Sequence, residues 1–199
     1  MDKLKQEMKE QIQEAIRSSV NVKTLLLKDI TLQETISKVV VEMVKCFRNG
    51  GKVLFCGNGG SAADAQHLSA ELSGRYYYDR RPLFSEALHV NSSFMTAVAN
   101  DYSFDVVYAR AVKAFGKKGD ILVGLSTSGN SMNIANAFQT ALDLGMITVG
   151  LTGLTGGILK GKSTYLLNMP SKDTPRIQES HIMVGHIICQ LVEAEIFPT

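Results

Sequence analysis

The chain has 199 residues, a length that suits one domain able to bury its own core. Its formal net charge is only +2, which argues against a basic surface built to bind nucleic acid. Hydrophobic residues make up 45% of the sequence, which argues against a disordered chain. No stretch approaches the roughly 20 apolar residues that a membrane span requires.

The cysteine content and the N-terminus both point to a cytoplasmic protein. Cys46, Cys56 and Cys189 are too few and too scattered for a disulfide framework, and no Cys-x-x-Cys pair is present to hold structural zinc. The first residues are charged and polar, without the apolar run of a secretory signal. We therefore expect a protein of the reducing cytoplasm with no membrane partner and no nucleic-acid partner.

The first fifty residues contain almost no glycine and have helical periodicity. Apolar residues recur at helical spacing from Leu4 to Val20, and a second apolar stripe runs from Ile36 to Phe47. We expect residues 1–50 to form N-terminal helices within the same unit as residues 51–199. A long helix before the first strand lies outside a strand–helix alternation, so part of it is expected to pack against a second subunit. The simpler alternative is that both helices only cover the core.

From residue 52 onward, short apolar runs rich in β-forming residues alternate with stretches able to form helices. Five such runs predict strands, at residues 52–57, 86–91, 120–126, 146–152 and 163–169. The alternation predicts an α/β fold, a three-layer α/β/α sandwich around a five-stranded parallel sheet. Such sheets bind ligands at the loops beyond the carboxyl ends of the strands, so those loops should carry the chemistry.

The loop after the first strand, CGNGGSAAD at residues 56–64, joins glycines to the start of a helix. Glycine lets the backbone approach a ligand closely, and a helix N-terminus favours an anion. Gly57, Gly59 and Ala62 also match the dinucleotide fingerprint Gly-x-Gly-x-x-Gly/Ala. The predicted second strand ends at Asn91 without the carboxylate that would hold a ribose, so nicotinamide binding is disfavoured.

The loop after the third strand, STSGNS at residues 126–131, places four hydroxyl side chains around one glycine, just before a helix predicted over residues 130–144. Backbone N–H groups, hydroxyls and the helix dipole all favour a phosphate there. The loop contains no Lys or Arg, so a sugar-phosphate monoester is expected rather than a nucleoside triphosphate. A literal Walker match at residues 156–163 is rejected because its Ser163 begins a β-like run instead of a helix.

Two predicted helices supply titratable side chains near these loops. His67 and Glu71 lie four residues apart, on one face of the helix that follows the first loop. The last helix is predicted to begin at Thr174, followed by a proline, and to carry His186 facing inward among apolar residues. A solvated His–Glu pair and a structural histidine are the ordinary interpretations. The nearby ligand loop favours a functional one.

Four motifs in this order are similar to those of the bacterial phosphoheptose isomerases, which have the sugar isomerase (SIS) fold. They are CGNGGSAADAQHLSAELSGR (56–75), VANDYSFD (98–105), STSGNS (126–131) and DTPRIQESHIMVGH (173–186). The resemblance implies conversion of D-sedoheptulose 7-phosphate to D-glycero-D-manno-heptose 7-phosphate, the first step toward activated heptose for lipopolysaccharide core, capsule or S-layer glycans. It also implies a cytoplasmic homotetramer with active sites between subunits, and zinc as a cofactor.

Residue by residue, the resemblance implies the following site. Sugar contacts would come from Asn58, Gly59, Gly60, Asn100 and Asp101. Phosphate contacts would come from Ser126, Thr127, Ser128 and Ser131. Zinc would be held by His67, Glu71, Gln178 and His186, with Glu71 and Gln178 also touching substrate and with Glu71 and His186 as the acid–base pair.

Two features leave parts of this site open. The segment HVNSSFMTA at residues 89–97 departs from the family pattern, so the resemblance does not extend to contacts from the second strand. Gln178 and His186 are eight residues apart, about 12 Å along a continuous helix. Both bind one ion only if the helix is distorted or their side chains extend toward each other; otherwise one of them serves the substrate alone.

Aldose–ketose isomerisation suits these residues on chemical grounds. It moves one proton between adjacent carbons and another between oxygens, which requires a base and an acid but no redox cofactor and no nucleotide. Glu71 is predicted to act at carbon, and His186 in ring opening or oxygen protonation.

Three alternatives remain. The first is a non-catalytic SIS scaffold that binds the replication initiator, a role that needs none of the four predicted metal ligands. The second is a SIS isomerase of another sugar phosphate, or a sensor domain. The third is an NAD oxidoreductase. It is the most distant alternative because the predicted second strand ends without the carboxylate that would hold a ribose.

Overall fold

The computed structural model describes residues 2–198, and within them the chain forms seven α-helices and five β-strands. The helices are α1 (Asp2–Lys28), α2 (Ile30–Arg48), α3 (Gly60–Ser73), α4 (Ser92–Asp101), α5 (Val107–Phe115), α6 (Met132–Asp143) and α7 (Thr174–Ile196). The strands are β1 (Val53–Gly57), β2 (Ser85–Ala87), β3 (Ile121–Ser126), β4 (Ile147–Thr152) and β5 (Tyr165–Asn168). Two short 3-10 helices span Phe104–Val106 and Gly157–Gly161.

All five strands join one parallel sheet in the order β2-β1-β3-β4-β5, which confirms the predicted fold class. The chain leaves β1 toward β2 on one side and then returns to β3 on the other side. The position between β1 and β3 is therefore the topological switch point, where loops diverge and a crevice opens at the carboxyl ends of the strands.

Helices cover both faces of the sheet because successive strand residues point to opposite sides. In β1, Val53 and Phe55 join the core beneath α2, α3 and α7, whereas Leu54 and Cys56 join the core beneath α5 and α6. Both faces are buried along β1 and β3, which is why these strands appear in the sequence as continuous apolar runs.

The predicted second strand is wrong in its extent. β2 ends at Ala87, and Asn91 is instead the N-cap of α4, its side chain accepting a hydrogen bond of 3.0 Å from the Phe94 N–H. The strand therefore does carry a carboxylate, that of Glu86, near its end. Glu86 lines a groove with Lys52 and residues just before β3, at the amino ends of the strands, so it lies away from the first glycine loop.

The N-terminal helix is only half covered. Its second part packs on α7, where the Ser19 hydroxyl donates to the Glu179 carboxylate at 2.6 Å. Residues 3–17 are all exposed, including the apolar side chains of Leu4, Met8, Ile12 and Ile16. No helix within residues 2–198 combines the length and the apolar character needed to cross a membrane.

Candidate active site and metal centre

The two loops predicted to bind ligand lie side by side at the switch point. β1 and β3 pair directly, with Gly57 opposite Leu125, so the first glycine loop and the hydroxyl-rich loop leave neighbouring strands. The helices that follow these loops, α3 and α6, begin without a side-chain cap, as does α7. No N-cap side chain therefore blocks these three helix N-termini, and the positive ends of their dipoles lie at one edge of the sheet.

In the first loop, the Asn58 side chain is held by another side chain. It exchanges two hydrogen bonds, of 3.0 Å and 2.9 Å, with the amide of Asn133 on α6. Asn133 is 2% exposed, and sequence reasoning missed it although a buried amide in the first turn of an apolar helix was a usable signal. Because both amides are engaged, Asn58 ties the first loop to α6 as well as bordering the ligand region.

The hydroxyl-rich loop borders a cavity of about 280 Å³. Thr127 and Ser128 line it, while the hydroxyls of Ser126 and Ser131 face each other at 2.9 Å. The opposite wall comes from the segment before α7 and from its first turn. There the cavity meets Lys172, a cation that sequence reasoning did not include because it lies outside the loop motif.

The residues of the false Walker match support this loop. Gly157–Gly161 is a 3-10 helix, and the motif does not open an α-helix, as predicted. The Ile158 N–H donates to the Asn130 side chain at 3.0 Å, and the Leu159 N–H donates to the Gly129 carbonyl at 3.1 Å. The segment therefore braces the hydroxyl-rich loop from behind.

Three predicted metal ligands meet where α3 packs on α7. The Nε2 atom of His67 lies 2.9 Å from Oε1 of Glu71 and 3.4 Å from Nε2 of His186, and one ligand atom from each residue falls within 4.8 Å of the others. His67 and Glu71 are neighbours through their four-residue spacing, whereas His186 arrives from 119 residues away. His186 is half-buried rather than fully inward, since Ile187 and Leu191 beside it are exposed.

Titratable side chains in and beside this cluster have pKa values shifted in opposite directions. Partial burial, and then the neighbouring His67, lower the pKa of His186, while Glu71 opposes the shift. One turn before His67, the half-buried Asp64 carboxyl has a pKa raised by burial, with His67 opposing. Its Oδ2 atom is buried without a hydrogen-bond partner among the described residues, so Asp64 adds a further unsatisfied acid near the cluster.

Gln178 lies at the other end of the same helix pair. A Cβ atom on Gly60 would stand 2.5 Å from its Nε2 atom, so the amide packs against the start of α3. α7 is continuous from Thr174 to Ile196, which leaves Gln178 two turns from His186. The structure thus brings Gln178 to the first loop and places the histidine–glutamate cluster further along the interface.

Asn100 and Asp101 are the predicted site residues that lie apart. Both are exposed at the C-terminal end of α4, and the Asn100 amide donates to the Asp101 carboxylate at 3.0 Å. Within residues 2–198 neither side chain hydrogen-bonds to the cluster or to the hydroxyl-rich loop.

The cluster suits a metal ion by the chemistry and spacing of its donors. Two imidazole nitrogens facing each other at 3.4 Å match the roughly 3.3 Å edge of a tetrahedron built on zinc–nitrogen bonds of about 2.0 Å. A carboxylate oxygen completes a three-donor set of the kind found in catalytic zinc sites, which keep further positions open.

Comparison with known proteins agrees with the fold. The model of the SIS domain family matches residues 19–153. A phosphoheptose isomerase from Clostridium acetobutylicum is 48% identical over 190 residues, 96% of this chain and 97% of that relative. A solved phosphoheptose isomerase from Neisseria gonorrhoeae is 39% identical, with a TM-score of 0.88 over 94% of this chain and 99% of that one. A second, from Francisella tularensis, is 36% identical, with a TM-score of 0.87 over 92% and 96% of the two chains.

Proposed function

Because the chain belongs to the phosphoheptose isomerase family of SIS-domain proteins, we propose that it converts D-sedoheptulose 7-phosphate to D-glycero-D-manno-heptose 7-phosphate. The observation that carries the proposal is the meeting of His67, Glu71 and His186 on two helices that start from the same edge of the sheet as the hydroxyl-rich loop. We further propose the cytoplasm as its location and activated-heptose synthesis for lipopolysaccharide, capsule or S-layer glycans as its pathway.

The reaction requires two proton movements. A proton leaves C1 of the open-chain ketose and one is returned to C2, while another passes from the C1 oxygen to the C2 oxygen, through an enediol. Glu71 is proposed as the base at carbon: its Oε1 faces His67, and its Oε2 makes no hydrogen bond within residues 2–198. His186, beside it on α7, is proposed to open the ring or to protonate oxygen.

Phosphate binding is assigned to the hydroxyl-rich loop. Thr127 and Ser128 line the 280 Å³ cavity, and the uncapped N-termini of α6 and α7 favour an anion there. The sugar would extend from this cavity past Gly60 and Gln178 toward Glu71, which accounts for the predicted contacts from the first loop.

We propose zinc as the metal, held by His67, Glu71 and His186, with Gln178 as the predicted fourth ligand. When bound, zinc would polarise a substrate oxygen as a Lewis acid. The donor set supports this for the first three residues. Gln178, packed on Gly60, is better placed for substrate unless its side chain extends along the interface.

We propose that the chain assembles as a homotetramer through α1. Apolar side chains at every fourth position form one stripe along its exposed half, from Leu4 through Met8, Ile12 and Ile16 to Val20, each 46% to 60% exposed. A stripe of this kind on a long helix is typical of helix–helix association. Light scattering on the purified protein measures the mass directly.

The proposed activity is tested by incubating the purified protein with sedoheptulose 7-phosphate and following the product by NMR, before and after chelation. Glu71→Gln should reduce turnover at least about a hundredfold, because an amide cannot accept the carbon-bound proton, while substrate binding stays detectable by calorimetry. Wild-type turnover in Glu71→Gln would refute its role as base. No conversion by metal-loaded wild-type protein would refute the activity and favour a scaffold.

A further inference from the structure

A buried carboxylate ties the loop after α3 to the last turns of α7. Glu193 accepts hydrogen bonds from the backbone N–H groups of Tyr76 at 3.0 Å, Tyr77 at 2.7 Å and Tyr78 at 3.2 Å. It also receives the Arg80 guanidinium, whose Nε lies 2.8 Å from its Oε1. The two side chains are 3% and 1% exposed, so this is a buried ion pair whose carboxylate oxygens are both fully engaged.

Arg80 extends the same network to the helix that carries Glu71. Its terminal nitrogens donate to the backbone carbonyls of Glu71 at 2.8 Å, Leu72 at 2.7 Å and Gly74 at 2.9 Å. Two of these carbonyls belong to the last turn of α3, where a helix leaves its carbonyls unsatisfied. Arg80 therefore caps α3 while it is paired with a side chain of α7.

Tyr76 connects this network to the histidine–glutamate cluster. Its N–H is held by Glu193, and its ring lies 5.7 Å from the ring of His186, tilted by 32°. It also meets the ring of Tyr77 at 4.6 Å. Aromatic contacts at these distances are attractive and orient both rings. A shift of the Tyr76 backbone would therefore also shift the ring that contacts His186.

The position of α7 against α3 is defined at three levels. At the start, Gln178 packs on Gly60; in the middle, Leu68 fills the space left by Gly185, where a Cβ atom would stand 2.5 Å from it. These two contacts are close packing without a directional bond. At the far end lies the Arg80–Glu193 pair, whose hydrogen bonds have fixed geometry.

We infer that Arg80 and Glu193 form a positioning unit that, through Tyr76, fixes His186 on α7 relative to Glu71 on α3. The cluster is split between these two helices, so a displacement of about 1 Å along their interface would disturb the 3.4 Å approach of His186 to His67. None of the three residues touches the reacting atoms; they act on the groups that do. The kinetic consequence rests on the proposed isomerase function, whereas the structural consequence does not.

The kinetic test compares Tyr76→Ala, Tyr76→Phe and Glu193→Gln with two matched controls. Arg81→Ala removes the neighbouring cation, which lies 5.8 Å from the Phe197 ring, and Glu195→Gln changes an exposed carboxylate on the same helix end. Tyr76→Ala and Glu193→Gln should lower kcat about tenfold with KM changed less than about twofold, since binding groups stay in place. Tyr76→Phe and both controls should retain wild-type kcat.

A second readout needs no turnover. The ring-proton NMR signals of His186 in the purified protein report the ring current of Tyr76, and they are assigned with His186→Asn. They should shift in Glu193→Gln, which keeps the Tyr76 ring, but not in Tyr76→Phe or the controls; Tyr76→Ala removes the ring and so gives the size of its ring-current contribution. If the wild-type protein fails to convert sedoheptulose 7-phosphate, the proposed function falls while these signals still decide the positioning role.

Glu193→Gln will lower the melting temperature. The buried glutamine carries no charge, so it leaves the buried guanidinium of Arg80 without an ionic partner. Loss of thermal stability alone, with kcat and the His186 signals at wild-type values, would overturn the inference. If Glu193→Gln does not fold, the contrast between Tyr76→Ala and Tyr76→Phe tests the last step of the inference, the contact of the Tyr76 ring with His186, because both variants keep the backbone N–H that Glu193 holds. Equal kcat in those two variants would refute the positioning role.

Discussion

Lys172 places a positive charge on the wall of the cavity opposite the hydroxyls of Thr127 and Ser128. The side chain is exposed, so its attraction for a phosphate is weakened by solvent and by salt, and is worth up to about 1 kcal/mol. Lys172→Ala should therefore raise KM by up to about fivefold and leave kcat unchanged, because the phosphate is remote from the reacting carbons.

Steady-state kinetics at low and high ionic strength checks this, since the effect should shrink as salt rises. Lys118→Ala, which removes an exposed lysine at the opposite ends of the strands, is the control and should keep the wild-type KM. A lower kcat in Lys172→Ala, or a KM effect insensitive to salt, would contradict a role in attracting phosphate.

At the level of structural elements, the packing of the Gly157–Gly161 segment behind the hydroxyl-rich loop depends on Gly129. Gly129 has φ of +69°, and a Cβ there would collide with the backbone of Gly156 in the bracing segment. Gly129→Ala must therefore strain the loop or push the segment away, at a cost of about 1–3 kcal/mol. We expect a lower melting temperature and a KM raised at least about tenfold, because the loop groups proposed to hold the phosphate lose their fixed positions.

The matched control for that substitution is Gly161→Ala, at the end of the same segment, where no atom lies within 4 Å of the added Cβ and φ is not positive. It should be near wild type in thermal unfolding and in kinetics. If Gly129→Ala behaves like Gly161→Ala, the segment is not a brace for the phosphate-binding loop.

The sequence was most informative where local pattern and burial agree. β1 and β3 are buried on both faces, so their apolar runs predicted them well. The second strand was extended too far because Leu88 and Val90 are apolar, yet the side chain of Asn91 already caps the next helix. A cap of this kind depends on one hydrogen bond, and the sequence gives only a weak indication of it when the cap follows an apolar run.

The site was predictable to the extent that its residues are neighbours along the chain. His67 and Glu71 follow from helical spacing, but their meeting with His186 depends on how α3 packs on α7, which only the resemblance supplied. The Arg80–Glu193 pair spans 113 residues, and no local pattern indicates it. The one indication of it in the sequence is Glu193, an acidic residue among the buried positions of α7, where a charge needs a partner.

At the scale of the whole molecule, α7 connects most parts of the structure. It packs on α1, α2 and α3, its first turn borders the cavity beside the hydroxyl-rich loop, and its middle carries His186. Its buried face also contains His181, which is 0% exposed and whose two ring nitrogens have no hydrogen-bond partner among the described residues. The protonation of this one side chain therefore bears on the stability of the entire fold.

Burial lowers the pKa of His181 to about 4. In the unfolded chain a histidine titrates near 6.5, so above that pH the side chain is neutral in both states and contributes no pH dependence. Between about 6.5 and 4 the unfolded chain binds a proton that the folded chain does not, so stability falls as the pH drops. At 1.36 kcal/mol per pKa unit, the loss reaches roughly 3 kcal/mol.

His181→Phe keeps a ring of similar size in the core and removes this titration. Denaturant unfolding at pH 7.5 and 4.5 should show the wild-type protein losing roughly 2–3 kcal/mol more than the variant over this interval. Glu193, whose pKa burial acts to raise but is held low by amide hydrogen bonds and Arg80, also destabilises the fold in acid, and it does so in both proteins. The difference between the two losses of stability therefore reports His181 alone. Equal losses in the two proteins would show that the His181 ring takes up a proton as readily in the folded state as in the unfolded state.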